Sequence, residues 1–74
     1  MNKLMALQMI EEEHNRAVDK FGSFHNAHEG WGVLREEYLE LEAEIMKKDF
    51  NLDDMRKEAT QLGAMALRFM VDVT

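Results

Sequence analysis

The fold of the chain is decided by the stretch Arg35-Glu36-Glu37-Tyr38-Leu39-Glu40-Leu41-Glu42-Ala43-Glu44. Apolar residues recur through and around it at alternating steps of three and four, which predicts a helix with one apolar stripe. At about 100° per residue, three glutamates fall in a column beside that stripe. Like charges along one helix edge repel one another unless a cation lies among them. The stripe is Trp31, Leu34, Tyr38, Leu41 and Ile45, and the column is Glu37, Glu40 and Glu44.

Two further helices are predicted, one on each side of this stretch, and the three span residues of about 2–21, 26–48 and 52–73. The first repeats the three-four rhythm, and acidic and basic side chains follow one another at i, i+4 from Glu12 through Arg16 to Lys20. The third helix carries a stripe that matches that of the second. The stripes are Leu7, Ile10, His14, Ala17 and Phe21 in the first helix, and Met55, Ala59, Leu62, Ala66, Phe69 and Val73 in the third.

Glycine, asparagine and lysine predict where the helices begin and end. Gly22 stands where a C-terminal glycine cap belongs, and the linker 22–25 is short, so the first two helices are expected to be antiparallel neighbours. Asn26 and Glu29 have the spacing of a reciprocal capping box, whereas Lys47 and Lys48 suit the last turn of the second helix.

Two smaller features of this kind remain. Asn51 or Asp53 can cap the third helix. Gly30 and Gly32 flank Trp31 and favour either close helix packing or room for a ligand.

Composition limits the possible functions. A chain of 74 residues forms a single domain, 1–74, and its small core rarely supplies more than ~3–5 kcal/mol. Without cysteine there is no disulfide, so self-association is the remaining source of stability. The net charge of −6 argues against a nucleic acid polymer or an anionic membrane surface as partner. No apolar run approaches the ~18 residues of a membrane helix, and no signal peptide is evident. A cytoplasmic location is therefore expected.

Acidic side chains on two predicted helices indicate a candidate cation site. Glu36-Glu37-x-x-Glu40 on the second helix and Glu58-x-x-Gln61 on the third are i, i+3 pairs that border apolar stripes. If the stripes pack, Glu37, Glu40 and Glu58 can share one crevice, which suits a hard divalent cation. The alternative is a solvated acidic face.

The same residues resemble the MazG-like nucleotide pyrophosphohydrolases, an all-α family with an E-x-x-E motif followed by E-x-x-D. Glu37-x-x-Glu40 matches the first half, and Glu58 lies within the usual spacing. The segments 24–30 and 56–69 are similar to those of small phage or bacterial members, so the resemblance covers roughly residues 10–73. At the family's aspartate position this chain has Gln61.

The resemblance implies a Mg²⁺-dependent hydrolase, with Mn²⁺ as a possible substitute, that converts a nucleoside triphosphate to a monophosphate and pyrophosphate. Glu37, Glu40 and Glu58 are then metal ligands and catalytic residues. Glu36 is a candidate to support those ligands. Gln61 supplies one uncharged oxygen, binds through a water, or contacts the substrate. Such enzymes act on non-canonical nucleotides in some cases.

Other residues have a possible substrate role beside an ordinary one. The basic residues that could contact phosphates are Lys20, Arg35, Lys57 and Arg68, although each has a partner at helical spacing, such as Asp72 for Arg68. Trp31 could stack on a base or belong to the core. His14 is expected to be a hydrogen-bonded core or interface residue. A zinc pair of His25 and His28 lacks a third ligand nearby.

Two function classes therefore stand side by side. The first is the hydrolase, acting as a homodimer or homotetramer built into a larger helical bundle. The second is a catalytically silent interaction or assembly module that kept the fold. Methionine-rich helix faces are compatible with the second class, since flexible methionines adapt to partners.

Overall fold

The computed structural model describes the whole chain, from Met1 to Thr74, as three helices with no strand. They are α1 (Lys3–Phe21), α2 (Ala27–Ile45) and α3 (Leu52–Val73). The all-α prediction is confirmed, and the predicted bounds of α1 and α3 agree with the structure to within one residue. None of the three helices is both long and apolar enough to cross a membrane.

Asparagine caps the N-terminus of each helix. The Asn2 side chain accepts a hydrogen bond from the Met5 amide at 2.9 Å, and Asn26 accepts one from the Glu29 amide at the same distance. Asn51 accepts from the amides of the second and third residues after it, at 2.8 and 3.1 Å. These bonds satisfy backbone donors that have no partner within the helix, so each helix has a defined start.

The predicted capping box at α2 is only half formed. Asn26 caps the helix as expected, but the Glu29 carboxylate does not return to the Asn26 amide. It accepts instead from the His25 amide at 3.4 Å and from His25 Nδ1 at 2.9 Å. The His25 ring offers a second donor to the same carboxylate, which explains why Glu29 reaches one residue further back.

The predicted C-terminus of α1 is confirmed, whereas that of α2 is wrong. Gly22 ends α1 with a φ of +73°, a conformation that favours glycine, and its amide donates to the Val18 carbonyl at 2.8 Å. The second helix was predicted to reach residue 48, which is wrong, because it ends at Ile45. Lys47 lies beyond the helix and donates to the Glu44 carboxylate at 2.9 Å.

The central element is α3, which packs against both α1 and α2. No Cα atom of α1 lies within 8 Å of one in α2, so the prediction that these two helices are neighbours is wrong. The short linker fixes only how far apart their ends can be, and α3 fits between the helices. Gly63 allows this, because a Cβ there would lie 2.9 Å from Ile10 Cδ1 of α1. Likewise, a Cβ on Gly30 of α2 would lie 2.6 Å from Phe69 of α3, so the packing interpretation of Gly30 is correct.

The core is small and lies on an unexpected side of α3. Its buried apolar side chains are Ala17, Phe24, Ala64 and Met65, and Arg68 is also buried, with 4% of its surface exposed. The predicted stripe of α3 is not this buried face. Ala59 and Ala66 of that stripe are exposed, whereas Met55, Leu62, Phe69 and Val73 are half-buried, and the last two pack against the edge of the core. The interior face of α3 therefore includes polar residues that a search for apolar periodicity passes over.

Candidate metal centre

Three carboxylates from two helices converge at one place. Glu37 and Glu40 of α2 and Glu58 of α3 each present an oxygen within 4.8 Å of the others. The i, i+3 spacing puts Glu37 and Glu40 on one edge of α2, and the contact between α2 and α3 brings Glu58 to that edge. No lysine or arginine nitrogen lies within 4.0 Å of these three carboxylates. The geometric prediction for the three glutamates is confirmed, and their role as metal ligands stays a prediction.

Gln61 lies against the same cluster. In the amide orientation that satisfies its neighbours, its nitrogen donates to Glu58 Oε2 at 3.0 Å and to Glu37 Oε2 at 3.2 Å. The amide therefore bridges two acids, one from each helix, and its oxygen faces away from them. To serve as a metal ligand, the amide group would have to turn around. A neutral donor here relieves part of the repulsion that an aspartate would increase.

The protonation of the cluster reflects its crowding. Burial, followed by the adjacent Glu40 carboxylate, raises the pKa of Glu37 to about 7, with smaller contributions from Glu58 and Glu36. The pKa of Glu58 is also raised, again by burial first and by Glu40 second. The Glu40 carboxylate thus raises the pKa of both other acids of the cluster. Near neutral pH Glu37 therefore keeps part of its proton, which a bound cation would displace.

A cleft of about 560 Å³ runs along α3 and reaches the cluster at Glu37, whereas Glu40 and Glu58 do not line it. Side chains of α1 line one side of it and side chains of α2 line the other. Glu36 and Glu37 line it from α2, and Gln61 and Arg68 line it from α3. The residues 61 and 68 are seven apart, which is about 10 Å along a helix. The cleft is thus long enough for a small molecule to touch the acidic cluster at one end.

Arg68 is held by contacts within the protein. Its Nη2 and Nε atoms donate to the Gly22 carbonyl at 2.7 and 3.2 Å, and its guanidinium lies 4.0 Å from the Phe24 ring centre. The Asp72 carboxylate, the ordinary partner predicted from spacing, lies 3.9 Å away. These contacts give Arg68 a structural role, and contact with a substrate stays a prediction.

The other predicted substrate residues lie apart from the cleft. Lys20 is exposed and stacks over Phe21 at 5.1 Å, while Lys57 lines a neighbouring surface depression that it shares with Gln61. Trp31 lines hollows on the opposite side of α2, with Leu34 and residues of α3. The structure therefore does not bring Trp31 to the acidic cluster of its own chain.

Sequence reasoning missed one ion pair at the cleft. Arg16 was expected to pair with Glu12, but it forms two hydrogen bonds with Glu13, at 2.7 and 2.6 Å. This pair lines the cleft wall opposite Glu37. It lowers the pKa of Glu13, chiefly through the hydrogen bond from Arg16. The i, i+3 spacing was visible in the sequence, but nothing there favours i, i+3 over i, i+4.

No histidine belongs to a group of three potential metal ligands. His25 pairs with Glu29, and the one group of three potential ligands in the chain contains only the glutamates. His14 is half-buried as expected on its stripe, but its Nε2 atom has no hydrogen-bond partner within the chain. The chain itself therefore provides no hydrogen bond for a core role of His14, and the interface role stays a prediction.

Comparisons of the chain with protein-family models, curated proteins and solved structures found no match. The fold and the acidic cluster define a small all-α protein with a candidate divalent-cation centre. The resemblance to MazG-like pyrophosphohydrolases therefore enters below as part of a proposal.

Proposed function

We propose that the chain is a Mg²⁺-dependent nucleoside triphosphate pyrophosphohydrolase, resembling the MazG-like family, that works as a homodimer or homotetramer. The observation that carries the proposal is the convergence of Glu37, Glu40 and Glu58 without a cationic side chain in contact. Folding has brought like charges together against their repulsion. Perturbed carboxylates beside a cleft are a common property of functional sites.

The donor set fits a hard cation. Octahedral oxygen ligands around Mg²⁺, at 2.0–2.1 Å from the ion, lie roughly 3 to 4 Å apart. The three carboxylate oxygens lie within 4.8 Å of one another, so a small side-chain movement would bring them to that spacing. Mn²⁺ accepts the same oxygen ligands. Glu37, Glu40 and Glu58 would hold the ion, with Glu36 beside them at the cleft.

The bound ion would neutralise phosphate charge and lower the pKa of a water molecule, which is the chemistry that pyrophosphate release requires. The chain's own residues do the rest. Glu37 has a raised pKa of about 7 in the absence of the ion, so it would give up its proton when it binds the cation. The cleft walls would hold the nucleoside, and the exposed Lys57 lies near enough to Gln61 to meet a phosphate. Within a cell the expected setting is the cytoplasm, with non-canonical nucleotides as one candidate substrate group.

The alternative is a catalytically silent interaction module. It is favoured by one observation, the Gln61 amide that already bridges Glu37 and Glu58. A neutral donor in that position holds two acids together without a metal, and it contributes no charge to attract one. The two functions therefore differ in whether Mg²⁺ displaces the amide contact.

One assay separates the two functions. The purified protein is incubated with a panel of canonical and modified nucleoside triphosphates and Mg²⁺, and pyrophosphate is measured. We expect release that chelation by EDTA abolishes and that Glu58→Gln lowers by at least about 100-fold. Glu12→Gln on the exposed side of α1 is the matched control and should retain wild-type turnover.

Thermal melting adds a readout that does not need the correct substrate. Millimolar Mg²⁺ should raise the melting temperature of the wild type and of Glu12→Gln, but not that of Glu58→Gln. Absence of both the shift and pyrophosphate release in the wild type would reject the hydrolase and leave the silent module.

A further inference from the structure

The depression that Lys57 shares with Gln61 lies beside the cleft, along the N-terminal half of α3. Its volume is about 490 Å³, and residues of α1 and α3 line it without any residue of α2. Met9 is its only hydrophobic lining residue, so the depression is unsuited to an apolar ligand. We name it the basic hollow and define it by its charged lining residues, which are Glu13, Arg16, Asp53, Arg56 and Lys57.

The charge of the basic hollow has the opposite sign to that of the chain. Three of the nine lysines and arginines line it beside two acids, and three positive charges with two negative charges leave a formal charge of +1. The whole chain has a net charge of −6. Basic side chains that gather in a concave surface raise the local concentration of anions. The basic hollow therefore favours an anionic ligand on a chain that otherwise repels one.

The cations of the basic hollow keep hydrogen-bond donors that the chain does not use. Arg16 donates to Glu13 through Nε and Nη2, and its Nη1 atom has no acceptor in the chain. Arg56 donates only through Nη1, to Asp53 at 3.3 Å, and the Asp53 side chain is 83% exposed. Lys57 forms no ion pair in the chain. Because exposed ion pairs are weak, an anion can replace Asp53 beside Arg56 at little cost.

The basic hollow continues into the cleft next to the acidic cluster. Arg16 and Gln61 line both spaces, so no wall separates them. The Gln61 amide donates to Glu37 and Glu58, which places the junction of the two spaces beside the carboxylates. Burial raises the pKa of Glu58 and the Lys57 ammonium opposes that increase, so this cation acts on the cluster from the side of the hollow.

The two spaces together form one groove with a different chemistry at each end. Phe24 and Arg68 line the cleft at one end, Gln61 lies at the junction, and Lys57 lies in the basic hollow. Along the helix axis, Lys57 is about 6 Å and Arg68 about 10 Å from Gln61, in opposite directions. A nucleotide is likewise aromatic at one end and anionic at the other. With its base near Phe24, its terminal phosphates would pass the acidic cluster and reach Lys57.

We propose that the basic hollow binds a phosphate chain directly, through Arg16, Arg56 and Lys57 and without a metal ion. Guanidinium and ammonium groups are the usual protein partners of phosphate oxygens. For the identity of the ligand the inference rests on the proposed hydrolase function, in which the hollow is the subsite for the β- and γ-phosphates. It would then select triphosphates over monophosphates, since only the longer chain extends past the acidic cluster. Free inorganic polyphosphate has the same chemistry, and the experiment separates these two sources.

The experiment titrates the full-length protein with tripolyphosphate in EDTA by isothermal calorimetry. Without a divalent ion, the acidic cluster cannot hold phosphate, so any binding reports the cations. We expect tripolyphosphate to bind at least about tenfold more tightly than orthophosphate, because the longer chain reaches more than one cation. Its affinity should fall as the salt concentration rises. A nucleoside triphosphate should bind more tightly than tripolyphosphate, and the matching monophosphate more weakly, because the nucleoside adds contacts in the cleft.

Two matched variants test the position of the site. Lys57→Gln removes a cation of the basic hollow, and we expect it to weaken tripolyphosphate binding about fivefold to tenfold. Lys48→Gln makes the same change of charge at a position outside the hollow and should bind as the wild type does. Both lysines are exposed, so both variants should fold. Glu58→Gln should retain tripolyphosphate binding in EDTA, because this binding does not use the acidic cluster.

Two results would overturn the proposal. One is the absence of saturable tripolyphosphate binding to the wild type in EDTA at low salt. The other is equal weakening in Lys57→Gln and Lys48→Gln, which would show attraction by charge without a site. A nucleoside triphosphate that binds no more tightly than tripolyphosphate would overturn the nucleotide subsite and assign the hollow to free polyphosphate.

The failure of the hydrolase and the failure of the basic hollow give different results. Tripolyphosphate binding in EDTA, without pyrophosphate release from any nucleotide in Mg²⁺, would count against the hydrolase alone. Pyrophosphate release in Mg²⁺, without tripolyphosphate binding in EDTA, would count against the basic hollow alone.

Discussion

Two groups of polar residues lie on the same interior side of α3. The charges of one group are paired, whereas those of the other group are not. Toward the C-terminus, Arg68 donates to the Gly22 carbonyl, and Asp72 accepts from the Phe24 amide at 2.9 Å. Every charge there has a partner. Toward the N-terminus, Glu58 meets two glutamates of α2, and the neutral Gln61 amide rather than a cationic side chain donates to them.

Burial of charged groups has a different consequence at each end of α3. At the Arg68 end, opposite charge and a carbonyl satisfy the guanidinium, so the group fastens the α1–α2 linker to α3. At the glutamate end, burial and like charge raise the pKa of Glu37 and Glu58. The paired charges stabilise the fold. In the unpaired cluster the carboxylates repel one another, and a bound cation would reduce that repulsion.

The largest loss of stability should come from removing the charge of Arg68 at the paired end of α3. Arg68→Met removes the guanidinium and leaves the buried Asp72 carboxylate and the Gly22 carbonyl without this partner. We expect a loss of about 3–5 kcal/mol, comparable to the whole stability of a domain of this size. Urea unfolding followed by circular dichroism, at one fixed protein concentration, measures it.

Arg56→Met is the matched control for that change. Arg56 pairs with Asp53 at 3.3 Å on the surface, and the loss of such a pair costs about 0–1 kcal/mol. Equal losses in the two variants would contradict the structural role given to Arg68.

The helices could be predicted from the sequence because their signals are local. Asn26, Asn51 and Gly22 act on backbone groups within a few residues, so their effects do not depend on the rest of the fold. The end of α2 was misjudged because Lys47 and Lys48 suit a helix end without specifying it, and no glycine or proline marks the stop.

The core could not be predicted in the same way. Apolar periodicity selected Leu62, Ala66 and Phe69 as the interior of α3, but the buried residues are Ala64, Met65 and Arg68. An arginine becomes a core residue only when a carbonyl from another segment reaches it, and sequence spacing does not reveal such a contact. The stripe was correct in part, since Phe69 and Val73 pack against the core.

The convergence of the glutamates at the candidate site could be predicted from the sequence, but the position of Gln61 among them could not. The i, i+3 spacing on α2 and the border position of Glu58 on α3 were enough to expect one crevice. The bridging position of the Gln61 amide depends on the distance between α2 and α3 to within about an ångström. That distance is set by packing, such as the contact of Gly30 with Phe69.

The second prediction concerns Gln61 at the unpaired glutamate cluster. Gln61→Asp replaces the bridging amide with a fourth carboxylate, so the metal-free protein should lose stability through added repulsion. With Mg²⁺ the change should be favourable, and we expect about tenfold tighter binding, which corresponds to ~1.4 kcal/mol. Turnover should equal or exceed that of the wild type, unless Gln61 contacts the substrate, in which case metal binding tightens and turnover falls.

Isothermal titration with Mg²⁺ and melting with and without the ion measure these changes. The only other glutamine, Gln8, is exposed on α1, and Gln8→Asp is the matched control with no expected change in Mg²⁺ affinity. Unchanged affinity and unchanged turnover in Gln61→Asp would place Gln61 outside the site.

The smallest predicted effect concerns pH. The pKa of Glu37 is about 7 in the folded protein and 4.5 ordinarily, so the folded state keeps a proton that the unfolded chain releases. The free energy of unfolding should therefore fall as pH rises from about 4.5 to about 7, and then level off. Glu37 remains partly hydrated, so we expect about 1 kcal/mol, well below the ~3.4 kcal/mol of the full shift.

Urea unfolding in EDTA at pH 5, 6, 7 and 8, on the wild type and on Glu37→Gln, measures this dependence. The lowered pKa values of Glu13 and Glu29 act in the opposite direction, but their stabilisation is lost only below about 4.5, outside this range. The three histidines are present in both proteins, so the difference between the two curves isolates Glu37 and its coupling to Glu40 and Glu58. Parallel curves for the two proteins would show that the carboxylates do not repel one another in solution. The distinction between the paired and unpaired ends of α3 would then fail.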